Sequence, residues 1–184
     1  PEFVEMLKKE FNLFGGIANT DKIQREILVQ GKKTKKFVHK VQILDPAVGT
    51  ATFLNEIIKY IYQNFKGQEG TWQSYVELEL IPRLYGFELM MAPYTIAHLK
   101  LAMTLKETGI DKFQNRLGVY LTNTLEQGKS HKDDLFSFGL SEAISEESKS
   151  AGTIKNNKPI MVVIGNPPYS GESNNKGLFE KEIE

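Results

Sequence analysis

Short apolar segments alternate with helical segments along most of this chain, and this alternation limits the folds that it can adopt. The predicted order is strand, helix, strand, helix, strand, long connection and strand, which is typical of a parallel sheet covered by helices. Ligands of such sheets bind beyond the carboxyl ends of the strands, so the chemistry is expected in the residues that directly follow each strand. The strands are predicted at residues 37–45, 84–89, 117–125 and 159–165, and the main helices at residues 51–65 and 93–109.

The first part of the chain is predicted to form a helix and a hairpin. Residues 2–14 carry apolar side chains at helical spacing, and Gly15-Gly16 ends this helix. Strands at 25–30 and 37–45 flank a lysine-rich turn at residues 32–36, and the second of them runs on into the buried sheet. A solvated hairpin turn is the favoured interpretation of the lysines, and a phosphate-contacting patch is the alternative.

The remaining segments do not indicate a second domain. A shorter helical stretch at residues 72–84 is interrupted at Pro82. Residues 126–159 are polar with little periodicity, so we expect a long surface excursion with a short helix at 140–148. There is no internal repeat, and residues 1–184 are expected to belong to one domain.

Composition excludes several kinds of site. With 40% hydrophobic and 25% charged residues, the 184-residue chain is typical of a globular protein, and no apolar run is long enough to cross a bilayer. The absence of cysteine excludes disulfides and thiolate metal sites, and the three histidines are scattered, so no metal site is expected. This composition fits a cytoplasmic protein. The 23 basic and 23 acidic residues give no basic excess of the kind usual in nucleic-acid-binding domains.

The first polar strand end is Asp45, which opens a turn of small residues before a helix. Pro46 stiffens this turn, and Gly49 permits a close approach that a side chain would block. Free backbone N–H groups at such a turn can face a ligand. A plain tight turn is the alternative, and neither a phosphate loop nor a G-x-G-x-x-G pattern is present.

Two further strand ends carry groups that suit a nucleoside. Glu88 ends a short apolar strand, where acids commonly accept hydrogen bonds from ribose hydroxyls. Asn123 and Thr124 end the next strand, and an amide there can both donate to and accept from a purine edge. Taken alone, Glu88 is more often a surface or helix-capping residue, and Asn123 is a plausible start of a loop.

The last strand ends in Asn166-Pro167-Pro168-Tyr169. The backbone of Asn166 is extended because a proline follows it, and the two prolines fix the next φ angles without donating hydrogen bonds. The result is a rigid corner of hydrogen-bond acceptors beside the aromatic ring of Tyr169. Such a corner suits a planar group that bears an NH₂.

Together these motifs resemble the S-adenosylmethionine-dependent N6-adenine DNA methyltransferases of restriction–modification systems. The family pattern D-P-A-[CV]-G-[ST]-G-x-F-L matches residues 45–54, except that Ala51 replaces the usual glycine. The acid after the second strand matches Glu88, and [DNS]-P-P-[YFW] matches residues 166–169. The order of the motifs is similar to the γ arrangement. The sequences of the motifs are most similar to those of large single-chain restriction–modification or helicase-linked enzymes.

The resemblance implies an α/β fold, the Rossmann-like, three-layer αβα, mostly parallel sheet of class I methyltransferases. We expect residues 1–184 to be the N-terminal part of that seven-stranded catalytic domain, holding the cofactor-binding half and the NPPY loop, and to be inactive alone. The implied cofactor-binding residues are Asp45, Pro46, Ala47, Gly49, Thr50 and Phe53 around the methionine part, Glu88 at the ribose, and Leu89, Asn123 and Thr124 at the adenine.

The resemblance also implies the reaction. Asn166 and Pro167 would accept hydrogen bonds from the target amine, Pro168 would touch the cofactor, and Tyr169 would stack on an adenine flipped out of double-stranded DNA. Linked nuclease or helicase domains are implied partners. Three alternatives stay open: methylation of protein glutamine, methylation of RNA, and a non-catalytic module of a larger nuclease or helicase.

Overall fold

The computed structural model describes residues 6, 9, 10, 12–29, 32–124 and 140–167, with backbone alone at 27–29, 32, 140–145 and 157. Strands β1 and β2 form an antiparallel hairpin, and four further strands form a parallel sheet in the order β5-β4-β3-β6. This mostly parallel α/β architecture confirms the predicted fold class. The strands are β1 (Lys22–Val29), β2 (Lys32–His39), β3 (Ile43–Asp45), β4 (Leu84–Glu88), β5 (Gly118–Leu121) and β6 (Val162–Val163).

Helices cover both faces of the parallel sheet. One face packs Ile43, Leu84 and Val119 against the buried sides of two long helices, and the other packs Tyr85 and Phe87 against a third. The described residues therefore form the three layers expected of a doubly covered parallel sheet. The helices are α1 (Thr52–Tyr62), α2 (Glu69–Tyr75), α3 (Met91–Glu107) and α4 (Leu140–Asn157), of which α1 and α3 share the first face and α4 covers the second.

The predicted strand at residues 37–45 is wrong in one respect, because it is split between two sheets. The backbone changes partners there: Lys40 N donates to Asp21 O at 2.7 Å, whereas Gln42 O accepts from the N–H groups of Met161 and Val162. The hairpin thus ends at His39, and the parallel sheet begins at Ile43. The lysines of residues 32–36 lie on β2 rather than in a turn, and those at 33, 35 and 36 are exposed.

Helix α4 corrects a second prediction. It spans eighteen residues, where only a short helix at 140–148 was expected within a surface excursion. Ala151 and Ile154, one helical turn apart, are buried against Tyr85 and Phe87. Residues 140–157 therefore supply the third layer of the fold, whereas residues 125–139 and most of the predicted helix at 2–14 lie outside the described part of the chain.

The segment predicted at 72–84 is helical up to residue 83, but not uniformly, and Leu84 already begins β4. After α2, residues Val76–Leu80 are π-helical and Ile81–Arg83 form a 3₁₀ turn that contains Pro82. The guanidinium of the fully buried Arg83 donates to Glu79 O, Ile17 O and the Tyr75 hydroxyl at 2.6–2.7 Å. These bonds hold residues 16–18 against α2 and satisfy carbonyls that would otherwise be buried alone.

Helix α1 begins after a residue with an unusual backbone. Ala51 has φ +60° and ψ +37°, in the left-handed region, and its side chain is fully buried. This is the position where the resemblance leads one to expect glycine, and glycine reaches this conformation without steric cost. The chain therefore has an alanine in a backbone conformation that favours glycine. The alanine adds backbone strain there, and it buries a methyl group that glycine lacks.

We predict that Ala51→Gly lowers the free energy of unfolding by no more than about 1 kcal/mol. Relief of left-handed strain, about 1 kcal/mol, offsets most of the lost methyl burial, about 0.8 kcal/mol, and the added chain entropy, about 0.5–1 kcal/mol. The matched control is Ala97→Gly, an equally buried alanine inside α3, which should cost about 2 kcal/mol. Urea unfolding followed by circular dichroism measures both, and equal losses would contradict the strain argument.

Candidate functional site at the carboxyl ends of the strands

The sheet order brings the four predicted strand ends to one edge. Adjacent strands are joined there by backbone hydrogen bonds: Thr122 N donates to Glu88 O at 2.7 Å, and Ile164 N donates to Leu44 O at 3.0 Å. Because all four strands are parallel, the residues that follow them lie at the same edge of the sheet, where the strands have their carboxyl ends. Residues 45–51, 88–90, 122–124 and 165–167 therefore form one cluster, although they come from four separate parts of the sequence.

Asp45 lies at the base of this cluster and is fully buried. Its Oδ1 accepts a hydrogen bond from Ala47 N at 3.1 Å, and its Oδ2 has no hydrogen-bond partner among the described residues. Burial raises the pKa of this carboxyl from 3.8 to about 6; the Ala47 N–H opposes that shift and the charge of Glu88 adds to it. A buried carboxylate with an unused oxygen carries a desolvation cost that a cation or a further hydrogen bond would offset.

The turn after Asp45 is fixed to β4 and open on its other side. Val48 N donates to Phe87 O at 2.9 Å, and the lack of a side chain at Gly86 makes room for Val48, whose Cγ2 would lie 2.8 Å from a Cβ there. Gly49 has φ +53°, and no atom lies within 4 Å of the place its Cβ would occupy. A ligand could therefore approach the backbone at Gly49 closely.

Backbone N–H groups hold Glu88 in place. Its Oε2 accepts from Gly49 N at 2.9 Å, and its Oε1 accepts from Leu89 N and Met90 N, each at 2.9 Å. These bonds tie the end of β4 to the turn after β3. A carboxylate has about four acceptor positions, so Glu88 keeps acceptor capacity for hydroxyl donors.

The end of β5 is bonded to the same turn. The Thr124 hydroxyl donates to Pro46 O at 2.5 Å. The Asn123 carbonyl accepts from Lys155 Nζ at 2.6 Å. Residues 122–124 are thus held between β4, the turn after β3, and helix α4.

Gly165 brings the final strand end against Asp45. A Cβ at residue 165 would lie 2.5 Å from Asp45 Oδ1 and 3.2 Å from Pro46 Cδ, so any side chain there would displace the carboxylate or the strand. Asn166 and Pro167 follow directly and are exposed. Pro168 and Tyr169 lie outside the described residues.

The remaining predicted residues border the cluster. Thr50 is exposed, and Phe53 and Leu89 are 38% and 63% exposed, so their side chains are accessible to a ligand. Gly165 and Lys155 were not predicted. Gly165 had a signal, because a glycine directly precedes the asparagine, whereas Lys155 lies in a polar segment where its contact depends on a helix that was not foreseen.

The described residues offer neither a metal centre nor a membrane segment. Nowhere in residues 12–29, 32–124 and 146–167 do three or more His, Asp or Glu side chains come together as metal ligands would. Among the helices that the structure describes, none combines the length and apolarity that a bilayer span requires.

Several solved structures share this fold. Three of them are "ATP-dependent Type ISP restriction-modification enzyme LlaBIII bound to DNA" (TM-score 0.62, 23% identity), a nuclease-deletion mutant of "the Type ISP restriction-modification enzyme LlaGI in complex with a DNA substrate mimic" (0.59, 23%) and the "DrdV-DNA complex" (0.57, 24%). The matches cover 94%, 95% and 95% of this chain but only 10%, 12% and 13% of theirs.

Two comparisons of sequence bear on the family of this chain. No curated protein sequence matches the chain significantly. A family model described as N-6 DNA Methylase matches residues 22–182, which include all four strand ends of the cluster. The chain belongs to the N-6 DNA methylase family.

Proposed function

We propose that this chain forms the cofactor and target-amine site of an enzyme that transfers a methyl group from S-adenosylmethionine to N6 of adenine in DNA. One observation carries the proposal. Gly165 places the backbone that leads into Asn166 against the buried carboxylate of Asp45, so the two family motifs meet at one point. Such a site can hold a methyl donor and an amine next to each other.

The residues present fit the cofactor. Among the described residues Asp45 Oδ2 has no hydrogen-bond partner, so it suits the ammonium of the cofactor's methionine part, and the backbone of Gly49 in the following turn is open. Glu88 keeps acceptor capacity for ribose hydroxyls, and the exposed Leu89 can cover the adenine ring. Asn123 and Thr124 border the part of the site that would hold the adenine. Thr50 and Phe53 lie near the start of α1. When bound, the cofactor supplies a methyl group on a positively charged sulfonium.

The chain's part in methyl transfer is to hold the amine. In adenine the N6 lone pair is delocalised into the ring, so N6 is a poor nucleophile. The side-chain oxygen of Asn166 and the carbonyl of Pro167 accept hydrogen bonds from its two N–H groups, which favours a more pyramidal nitrogen and stabilises the charge that grows there. With the cofactor bound, the amine nitrogen would take the methyl group from the sulfonium and would release one of its own protons to solvent. Tyr169 stacks on the flipped base.

Methyl-transfer assays with the full-length protein test the substrate. Radiolabelled S-adenosylmethionine would be supplied with double-stranded DNA, RNA or protein, and the product analysed by mass spectrometry. We expect N6-methyladenine in DNA. Label in RNA or on glutamine would replace the proposed substrate, and no label in any of them would favour a non-catalytic module of a larger nuclease or helicase.

Asn166→Ala should reduce kcat for methylation by about 10²–10³-fold, because it removes an acceptor that stabilises developing charge. Cofactor affinity, measured by calorimetry, should change by less than about threefold because the cofactor contacts remain. The control is Asn156→Ala, an exposed asparagine of α4 outside the cluster. Unchanged methylation by Asn166→Ala would contradict the role of Asn166.

Cofactor binding should strengthen as pH rises through about 6. Below that pH the carboxyl of Asp45, whose pKa is about 6, is protonated and cannot pair with the ammonium. Titration calorimetry near pH 6 in two buffers of different ionisation enthalpy should therefore show proton release on binding. Asp45→Asn should weaken binding and remove this proton release, whereas Asp111→Asn, at an exposed position, should do neither.

The carboxyl of Asp45 should also make folding depend on pH, with stability falling rather than rising as pH increases. The pKa of Asp45 in the folded protein lies above its ordinary value of 3.8, so its contribution to stability is present below about pH 4 and is lost as pH rises through about 6. Without cofactor, the free energy of unfolding of Asp45→Asn should therefore rise relative to wild type between pH 4 and pH 7. Denaturant unfolding at both pH values measures this difference.

Gly165→Ala should impair methylation while leaving the protein folded. The added Cβ would meet Asp45 Oδ1 at 2.5 Å, so the carboxylate or residues 165–167 must shift, and about 1 Å of misplacement costs roughly 10²-fold in rate. Gly70→Ala is the matched control, since nothing lies within 4 Å of its new Cβ. Equal activity of the two variants would show that the close approach is unimportant.

A further inference from the structure

Lys155, near the end of α4, reaches the carboxyl ends of β4 and β5. Its Nζ donates to the Asn123 carbonyl at 2.6 Å and lies 3.5 Å from the Thr122 hydroxyl. The same Nζ lies 5.3 Å from the centroid of the Phe87 ring. The ammonium is thus directed at the backbone that leaves β5 and is half-buried beside an aromatic ring.

The backbone that Lys155 contacts has passed the end of its strand. Strand β5 ends at Leu121, and Thr122 N still bonds to Glu88 O at 2.7 Å. Two residues later, the Thr124 hydroxyl bonds to Pro46 O. The Asn123 carbonyl lies between these two bonds, and Lys155 supplies a charged donor to it.

A charged donor at this carbonyl is stronger than a neutral one. Hydrogen bonds from an ammonium are shorter and about twice as strong as those between neutral groups. The neighbouring Phe87 ring favours the ammonium through its π face. The lysine therefore fixes residues 122–124 from the side of the sheet opposite α1 and α3.

We infer that Lys155 is a positioning residue for the adenine end of the cofactor site. By fixing the carbonyl of Asn123, it sets where the Asn123 and Thr124 side chains stand relative to Glu88 and Leu89. The inference rests on the proposed function, since it assumes that S-adenosylmethionine binds at this edge.

Lys158 provides a matched control. Its Nζ lies 5.7 Å from the centroid of the Tyr85 ring, two residues before Phe87 on the same strand. Both lysines thus lie against β4 aromatics on one face of the sheet. Within the described residues only Lys155 of the two also donates to residues 122–124.

The experiment compares Lys155→Met, Lys155→Arg and Lys158→Met in the full-length protein. Methionine keeps an unbranched apolar stem and removes the charged donor. For Lys155→Met we expect the Kd and KM for S-adenosylmethionine to rise about tenfold, a change of about 1.4 kcal/mol, with kcat and the Kd for DNA within about twofold of wild type. Lys155→Arg should recover most of the affinity, and Lys158→Met should bind cofactor like wild type.

The outcomes separate the inference from the function on which it rests. If wild type binds S-adenosylmethionine and Lys155→Met binds it equally well, the inference is wrong and the proposed function stands. If Lys155→Met and Lys158→Met lose the same affinity, both lysines act through packing against the aromatic rings of β4 and the inference is again wrong. Failure of the wild-type protein to bind S-adenosylmethionine would instead overturn the proposed function.

Discussion

The buried carboxylate of Asp45 is the group around which the rest of the site is arranged. It ends the central strand β3, accepts from Ala47 N, and leaves no space for a side chain at Gly165 on the neighbouring strand end. Burying this group disfavours its charged form, which is why its pKa lies near 6. A cation bound beside it would offset that cost. Part of the affinity for a positively charged ligand would then come from removing the free-energy cost of burying this carboxylate.

Backbone groups, more than side-chain pairs, hold the strand ends together. Three N–H groups fix Glu88, and one of them belongs to Gly49 of the turn after β3. Another bond runs from the Thr124 hydroxyl back to the carbonyl of Pro46. Backbone donors have few alternative positions, so such a site is formed before a ligand arrives. Small residues at 86 and 165 are required because backbone and side chains approach closely at both places.

Local patterns in the sequence predicted the strands, the small-residue turn and the polar strand ends. They could not predict the split between β2 and β3, because the hydrophobic pattern is continuous there. Only long-range hydrogen bonds, which Asp21 O accepts and Met161 N donates, show where one sheet ends. Helix α4 was underestimated because much of its length is polar, and among residues 146–156 only Ala151 and Ile154 are buried. The contact of Lys155 with Asn123 spans 32 residues and depends on that helix, so no local pattern could reveal it.

The pairing of β3 with β6 determines how a methyl donor and an amine would be aligned. In this parallel register Leu44 lies opposite Val163, which brings Gly165 to the Asp45 carboxylate and Asn166 next to it. A slip of one residue would move Asn166 by about 3.3 Å along the strand and place a side chain where only glycine fits. Reacting atoms must approach to about 3–3.5 Å, so a slip of this size would separate them. Strand register, rather than movement of either motif, therefore aligns the residues proposed to hold cofactor and base.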